Sequence, residues 1–241
     1  MSLDVLNLAK SYPYEIPSRS FIFSGGAHEE LVAGAPFPDV SGRKPVLAVG
    51  SNQSPEQLAR KFKGPDIGTI PVSRGTLKDF DIVYSSHVAS YGAIPTTLRH
   101  SPATLVTLSV TWLTPDQETR MHETEVTTSN YIFGKLDGIE LALSPEWVLS
   151  SAFVYSSRRG ALVRDGHPVA QAGAPAERRS WPSLTQVEIQ THVRDQTAPG
   201  EGLDDFIHAS VTDASIRTAR TEALAANSLA FNYSGFTEKD L

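Results

Sequence analysis

The chain has 241 residues, with 21 Lys plus Arg against 27 Asp plus Glu and a net charge of −6 at pH 7. At about 150 residues per domain this length fits one large domain or two small ones, and the acidic balance repels polyanions and excludes nucleic acid as a bulk partner. Cysteine is absent, which removes disulfides, thiolate nucleophiles, iron–sulfur clusters and cysteine-ligated zinc together and leaves carboxylate, hydroxyl, histidine or amine chemistry.

With 40% hydrophobic and 20% charged residues, the chain has the composition of an ordinary globular domain and can bury a core. Its first residues lack the basic stretch and apolar run of a secretory signal, and Asp4 interrupts them early. No apolar run approaches the roughly 18 to 20 residues of a membrane span. The expectation is a soluble, cytoplasmic protein with no membrane partner.

In chain order, residues 1–44 mix a short strand at Arg19–Phe23 with turn-rich stretches and read as an extension packed on a core. Val46-Leu47-Ala48-Val49 is an uninterrupted apolar run, the pattern of a strand buried on both faces. Gly50-Ser51-Asn52-Gln53 follows, and Ser54-Pro55-Glu56-Gln57 then predicts a helix start, with a capping serine, proline at the first helical position and a capping-box glutamine. Gly64-Pro65 ends that helix. Strands are predicted at Gly75–Tyr84 and Ala103–Trp112, separated by turns at Tyr91–Pro95 and Ser101-Pro102. Thr114-Pro115-Asp116-Gln117 repeats the cap pattern and opens a helix through Glu125, and extended segments follow near Tyr131–Phe133 and Ala152–Tyr155. Residues 160–182 read as a surface connection. Helices return at a further capping box, Ser183–Gln186, and at the Ala-rich stretch from Ile216 to Leu229. The core is therefore mixed α and β, with few helices.

Two places carry chemistry. In the Gly50-Ser51-Asn52 turn, glycine allows close backbone approach and the following helix start offers unpaired N–H groups, a receptor for a carboxylate or oxyanion. The same turn also joins strands to helices that bind nothing, so both readings stand on local sequence. Glu125 shares a helical face with Met121 at i, i+4. If Met121 points inward, the carboxylate goes with it, and a desolvated carboxylate is suited to proton transfer; the alternative is a solvated helix end. His28-Glu29 and His122-Glu123 begin a zinc-protease pattern, but Leu31 and Glu125 stand where the second histidine belongs. No metal, no cofactor, no serine-nucleophile elbow and no phosphate loop is expected. The paired basic residues Arg60-Lys61, Arg158-Arg159 and Arg178-Arg179 read as solvated surface.

In sequence order, the segments from Val46 to Tyr155 resemble the gamma-glutamylcyclotransferase-like family. Its strand ending in Tyr-Gly-Ser-Asn corresponds to Leu47-Ala48-Val49-Gly50-Ser51-Asn52; its second strand to Gly75–Phe80; its Gly-x-Ala-Thr turn and Ser-Pro to Gly92–Leu98 and Ser101-Pro102; and its helix ending in Leu-Asp-x-x-Glu to Leu113–Glu125, with Tyr131 shortly after. The chain departs from the pattern at Val49, where the family has tyrosine, at Val126, where it has glycine, and in lacking a glycine ahead of Trp112.

The resemblance implies an α+β fold, a small mixed β-barrel with a few helices, in residues 45–160. Residues 1–44 form the extension, and 161–241 a connection and C-terminal helices within the same domain. It implies an acid/base role for Glu125 and substrate contacts from Val49, Gly50, Ser51, Asn52, Gln53 and Tyr131, acting on a small-molecule substrate that carries a carboxylate. The implied reaction converts a gamma-glutamyl amide or a related small carboxylated amide to 5-oxoproline and free amine by carboxylate acid/base catalysis. A non-catalytic binding or accessory domain that keeps the fold and cavity is the competing reading, since a fold does not establish an activity.

Overall fold

A computed structural model describes residues 3–64, 67–125 and 130–240. The elements are α1 (Leu3–Lys10), β1 (Phe21–Ser24), β2 (Ala27–Glu30), β3 (Lys44–Ala48), α2 (Pro55–Lys61), β4 (Ile70–Tyr84), β5 (Thr96–Leu113), α3 (Pro115–Glu125), β6 (Tyr131–Ser144) and β7 (Trp147–Ser157). Then come the short strands β8 (Val163–Arg164), β9 (His167–Pro168), β10 (Ala170–Gln171), β11 (Ala176–Glu177) and β12 (Ser183–Leu184). The helices α4 (Gln186–Thr197), α5 (Leu203–Thr212) and α6 (Ala214–Ala225), with the strand β13 (Phe236–Glu238), complete the chain.

Five strands close a barrel in the order β5-β3-β7-β6-β4, with β4 returning to β5. The β3–β7 pair is parallel and the other four are antiparallel. The architecture is mixed α+β, a closed barrel with helices around it. Val46 and Leu47, adjacent in β3, enter two different apolar clusters, so this strand is buried on both faces as its unbroken run predicts. One cluster joins Leu47, Val49, Leu77, Leu108 and Val154. A second joins Val46, Phe21, Leu58 of α2 and Met121 of α3. The third packs Ala9 of α1 and Tyr84 against Ile189, Phe206 and Leu224 of the three C-terminal helices. Among the described residues no helix is long and apolar enough to cross a membrane.

Several local expectations are revised. The predicted Ser101-Pro102 turn lies inside the 18-residue strand β5. A bulge absorbs it: Asp79 and Ala103 take positive φ angles of 63° and 68°, the β4–β5 register shifts between Lys78 and Phe80, and the Ala103 N–H donates to Asp79 Oδ1 at 2.7 Å. Residues 160–182 form short strands rather than open surface, with Val169, Ala170 and Ala174 buried. Within that stretch Arg179 is no solvated cation but binds Asp81 of β4 through two bonds of 2.9 and 3.0 Å. Asp81 is fully buried; burial pushes its carboxyl up, and the Arg179 guanidinium opposes that. The Ser183–Gln186 capping box sits two residues later, between Thr185 and Glu188. The last long helix is α6, Ala214–Ala225, shorter than the Ile216–Leu229 stretch.

Candidate functional site

The site forms where β3 runs into α2. Proline at its first position starts α2, but Ser54 makes no side-chain cap bond and its hydroxyl is buried without a partner among the described residues, so the predicted Ser54–Gln57 capping box does not form. At α3 the equivalent box closes in both directions, Gln117 N–H to Thr114 Oγ1 at 3.3 Å and Thr114 N–H to Gln117 Oε1 at 3.0 Å. This fixes the start of α3, and with Met121 buried the helix delivers Glu125, its last residue, beside the 50–53 turn.

A cavity of about 370 Å³ lies there, lined by Val49, Gly50, Ser51 and Asn52, by Thr124 and Glu125, by Tyr131, and by residues of the 87–96 segment. That volume falls in the range of small-molecule pockets, roughly 300–1,000 Å³. Six of the seven residues named from sequence, Glu125, Val49, Gly50, Ser51, Asn52 and Tyr131, are brought together on its wall. Gln53 is not: its side chain is buried, and its Oε1 accepts from Arg74 Nη1 at 2.8 Å. Its backbone N–H is also occupied, donating to Gly50 C=O at 3.1 Å in a single 3₁₀ turn (Ser51–Gln53). Val49 contributes chiefly through its backbone, because its side chain belongs to the apolar core while its carbonyl accepts from Thr96 Oγ1 at 2.7 Å.

Glu125 is held from two sides. Its Oε1 accepts from Asn52 Nδ2 at 2.8 Å and pairs with the ammonium of Lys61, the last residue of α2. Both side chains are mostly buried, 8% exposed for Lys61 and 13% for Glu125. The Asn52 Oδ1 is buried without a partner among the described residues. Val126 lies outside the described residues.

Tyr12, just after α1, reaches across the turn. Thr96 N–H donates to Tyr12 Oη at 3.0 Å, and Thr96 Oγ1 spends its proton on Val49 C=O, so the Tyr12 hydroxyl donates to Thr96 Oγ1 at 2.9 Å. A Cβ on Gly50 would stand 2.2 Å from Tyr12 Oη and 2.7 Å from Thr96 Oγ1. The glycine is thus required by the approach of these two hydroxyls.

The phenols of the wall stay protonated at neutral pH: burial pushes Tyr12 up to about 12 and drives Tyr91 and Tyr131 well above their usual value. Tyr131 donates to Thr96 C=O at 3.3 Å. His87 is buried, bonded through Nδ1 to Ser85 Oγ at 2.8 Å and edge-on to Tyr131; burial lowers its pKa to about 3, so its ring is neutral.

Sequence reasoning missed Lys61, Tyr12, His87 and Arg217, all on the cavity wall. Only tertiary packing brings them there: Lys61 sits in a basic pair that looks like surface, and Tyr12 and Arg217 lie outside the segments that carry the resemblance. The charged residues on the wall are Lys61, Glu125 and Arg217, so the described lining carries a surplus of one positive charge in a chain of net charge −6.

A closed barrel with a polar, small-molecule-sized cavity beside it, and a mostly buried carboxylate in that cavity, describes the class of protein. No family model matches the chain, and no curated protein matches it. Solved structures do: a gamma-glutamyl cyclotransferase, 13% identical, covering 80% of this chain and 92% of its own with a TM-score of 0.38, and an uncharacterized protein from Homo sapiens, 14% identical, covering 69% and 87% with a TM-score of 0.39. At these scores neither match bears on the chemistry of the site.

Proposed function

We propose that the protein is a cyclotransferase acting on gamma-glutamyl amides, with Glu125 as the proton-transfer group. The observation that carries this reading is Glu125 itself, mostly buried and hydrogen-bonded to Asn52 of the Gly50-Ser51-Asn52 turn on the wall of a cavity. Support also comes from the order of the sequence motifs and from the positive surplus of the wall, which suits a carboxylated substrate.

In this reaction the substrate's α-ammonium gives a proton to Glu125, and the freed amine attacks the γ-carbonyl carbon. A ring N–C bond forms, Glu125 returns that proton to the leaving nitrogen and the old C–N bond breaks; the ring nitrogen then gives its second proton through Glu125 to the departing amine, which leaves as an ammonium beside 5-oxoproline. Nucleophile and carbonyl belong to one molecule, so the protein's task is to hold the chain curled. An ammonium arriving beside Glu125 would also meet Asn52 Oδ1, giving that orphan acceptor a partner. Lys61 fixes the carboxylate and offsets the cost of burying its charge. With Gln53 N–H and the hydroxyl protons of Tyr12 and Tyr131 already bonded, the oxyanion falls to the remaining amides of the turn and to the neutral phenol of Tyr91.

The Lys61–Glu125 ion pair also favours a second reading, a binding or accessory domain in which this carboxylate is structural. Incubating the protein with gamma-glutamyl amides separates the two: 5-oxoproline release supports the enzyme, and saturable binding without release supports the accessory domain.

A further inference from the structure

A second cavity, of about 320 Å³, opens over the start of α2 and shares no lining residue with the first. Its acidic character comes from the edge of the sheet. Strands β1 and β2 form an antiparallel hairpin in which Phe21 stands opposite Glu30 and Phe23 opposite His28, and opposed residues share a face. That face buries both phenylalanines and packs Phe21 with Leu58 of α2. The edge strand β2 therefore turns His28 and Glu30 toward α2, where both line the cavity. Glu15 and Glu56, the second residue of α2, complete the acidic wall, and among the described residues no lysine or arginine lines it.

Arg60 answers Glu56 across one turn of α2. That leaves the carboxylates of Glu15 and Glu30, neither with a hydrogen bond or ion pair among the described residues. Inward charges on an edge strand also blunt its tendency to aggregate, but that role needs neither a cavity nor an open acceptor. Ser54 supplies the acceptor: it is fully buried, it lines the cavity, and its hydroxyl has no partner among the described residues. A buried hydroxyl without a partner costs free energy that a ligand N–H would recover. Pro17 and Pro55, both buried, add apolar surface to the same wall. Among the described residues no three His, Asp or Glu groups are placed to hold a metal ion, so the charges are spread too widely for a point cation, and the volume suits a small organic molecule. The partial positive charge at the start of α2 is offset by Glu56 in its first turn. We propose that this cavity binds an aliphatic diamine, with one ammonium on Glu15, the other on Glu30, the methylene chain against the two prolines, and one N–H bonded to Ser54 Oγ. This site is independent of the cyclotransferase reading.

The test is calorimetric titration of the full chain at low salt, where charge pairing is least screened, with the diamines from 1,3-diaminopropane to 1,6-diaminohexane and with 1-aminobutane as the single-charge control. Saturable one-to-one binding is expected, the best diamine binding at least about fivefold tighter than 1-aminobutane. Glu15→Gln and Glu30→Gln should each weaken the diamine by about three- to fivefold, the scale of a partly exposed ion pair. Ser54→Ala should weaken it by about 10-fold, the scale of a hydrogen bond to a charged group. Glu29→Gln, on the opposite face of β2, should leave it unchanged, and the Tm of each variant checks its fold. The bound diamine should shift the backbone amide resonances of His28, Glu30 and Glu56 and leave those of Ser51 and Asn52, beside the first cavity, in place. No saturable binding, equal affinity for diamine and monoamine, an unchanged affinity in Ser54→Ala, a loss in Glu29→Gln equal to that in Glu30→Gln, or shifts confined to Ser51 and Asn52 would overturn the site.

Discussion

The ammonium of Lys61 and the amide of Asn52 meet on one oxygen, Oε1 of Glu125. The α2 helix thus ends on the carboxylate that ends α3, and the turn before α2 touches it too, so the site is assembled from elements that also pack the fold. Removing one partner of a mostly buried pair leaves a charge without its counterpart. Lys61→Met should therefore cost on the order of 3 kcal/mol in denaturant unfolding. The double variant Lys61→Met/Glu125→Gln should recover at least about 1 kcal/mol of that loss, a coupling read from the thermodynamic cycle. Strict additivity would mean that the pair contributes no interaction energy.

Gly50 and Tyr12 form a second coupled pair. Gly50→Ala places a Cβ 2.2 Å from the phenol oxygen, and the strain should cost about 1–3 kcal/mol. Tyr12→Phe deletes that oxygen and should cost about 1 kcal/mol alone. Without the oxygen the next Tyr12 atom is Cζ at 3.3 Å, though Thr96 Oγ1 remains close. The double variant should therefore be more stable than the sum of the single losses, and an additive result would place the strain elsewhere.

His87 sets an acid limit. Its pKa is held near 3 by burial, against about 6.5 in an unfolded chain. Between those values the unfolded chain binds a proton that the folded one does not, so the contribution is fully present above about pH 6.5 and is lost as pH falls toward about 3. The slope approaches 1.4 kcal/mol per pH unit at most. His87→Asn, which keeps a polar group near Ser85, should flatten the fall of Tm between about pH 6 and about pH 4. Parallel wild-type and variant curves would contradict a neutral buried imidazole.

The sequence is most informative where local chemistry decides. The Val46–Val49 run forms β3 and the turn after it, and Thr114–Gln117 closes both bonds of its capping box, which sets the phase that carries Glu125 inward with Met121. Where distant packing decides, the reading fails. The helix α1 and the strands of residues 160–182 are stabilised by contacts across the fold, such as Ala9 with Ile207 and Phe206 and Arg179 with Asp81. The Ser101-Pro102 dipeptide looks like a turn because proline usually interrupts strands; here the positive φ angles at Asp79 and Ala103 make room for it. The candidate site divides the same way. Its turn and its acid are local motifs, whereas Lys61, Tyr12 and Arg217 belong to it only because the chain folds back on itself.

The proposed reaction depends on Glu125 as the group that moves the proton. The direct test is 5-oxoproline release from gamma-glutamylglycine by the wild type and by Glu125→Gln, with folding of the variant checked by its circular dichroism spectrum and Tm. The expected result is steady release by the wild type and a loss of about 100-fold or more in kcat for a folded Glu125→Gln, the scale of a lost acid/base catalyst. Full turnover by Glu125→Gln, or no release by the wild type, would contradict it.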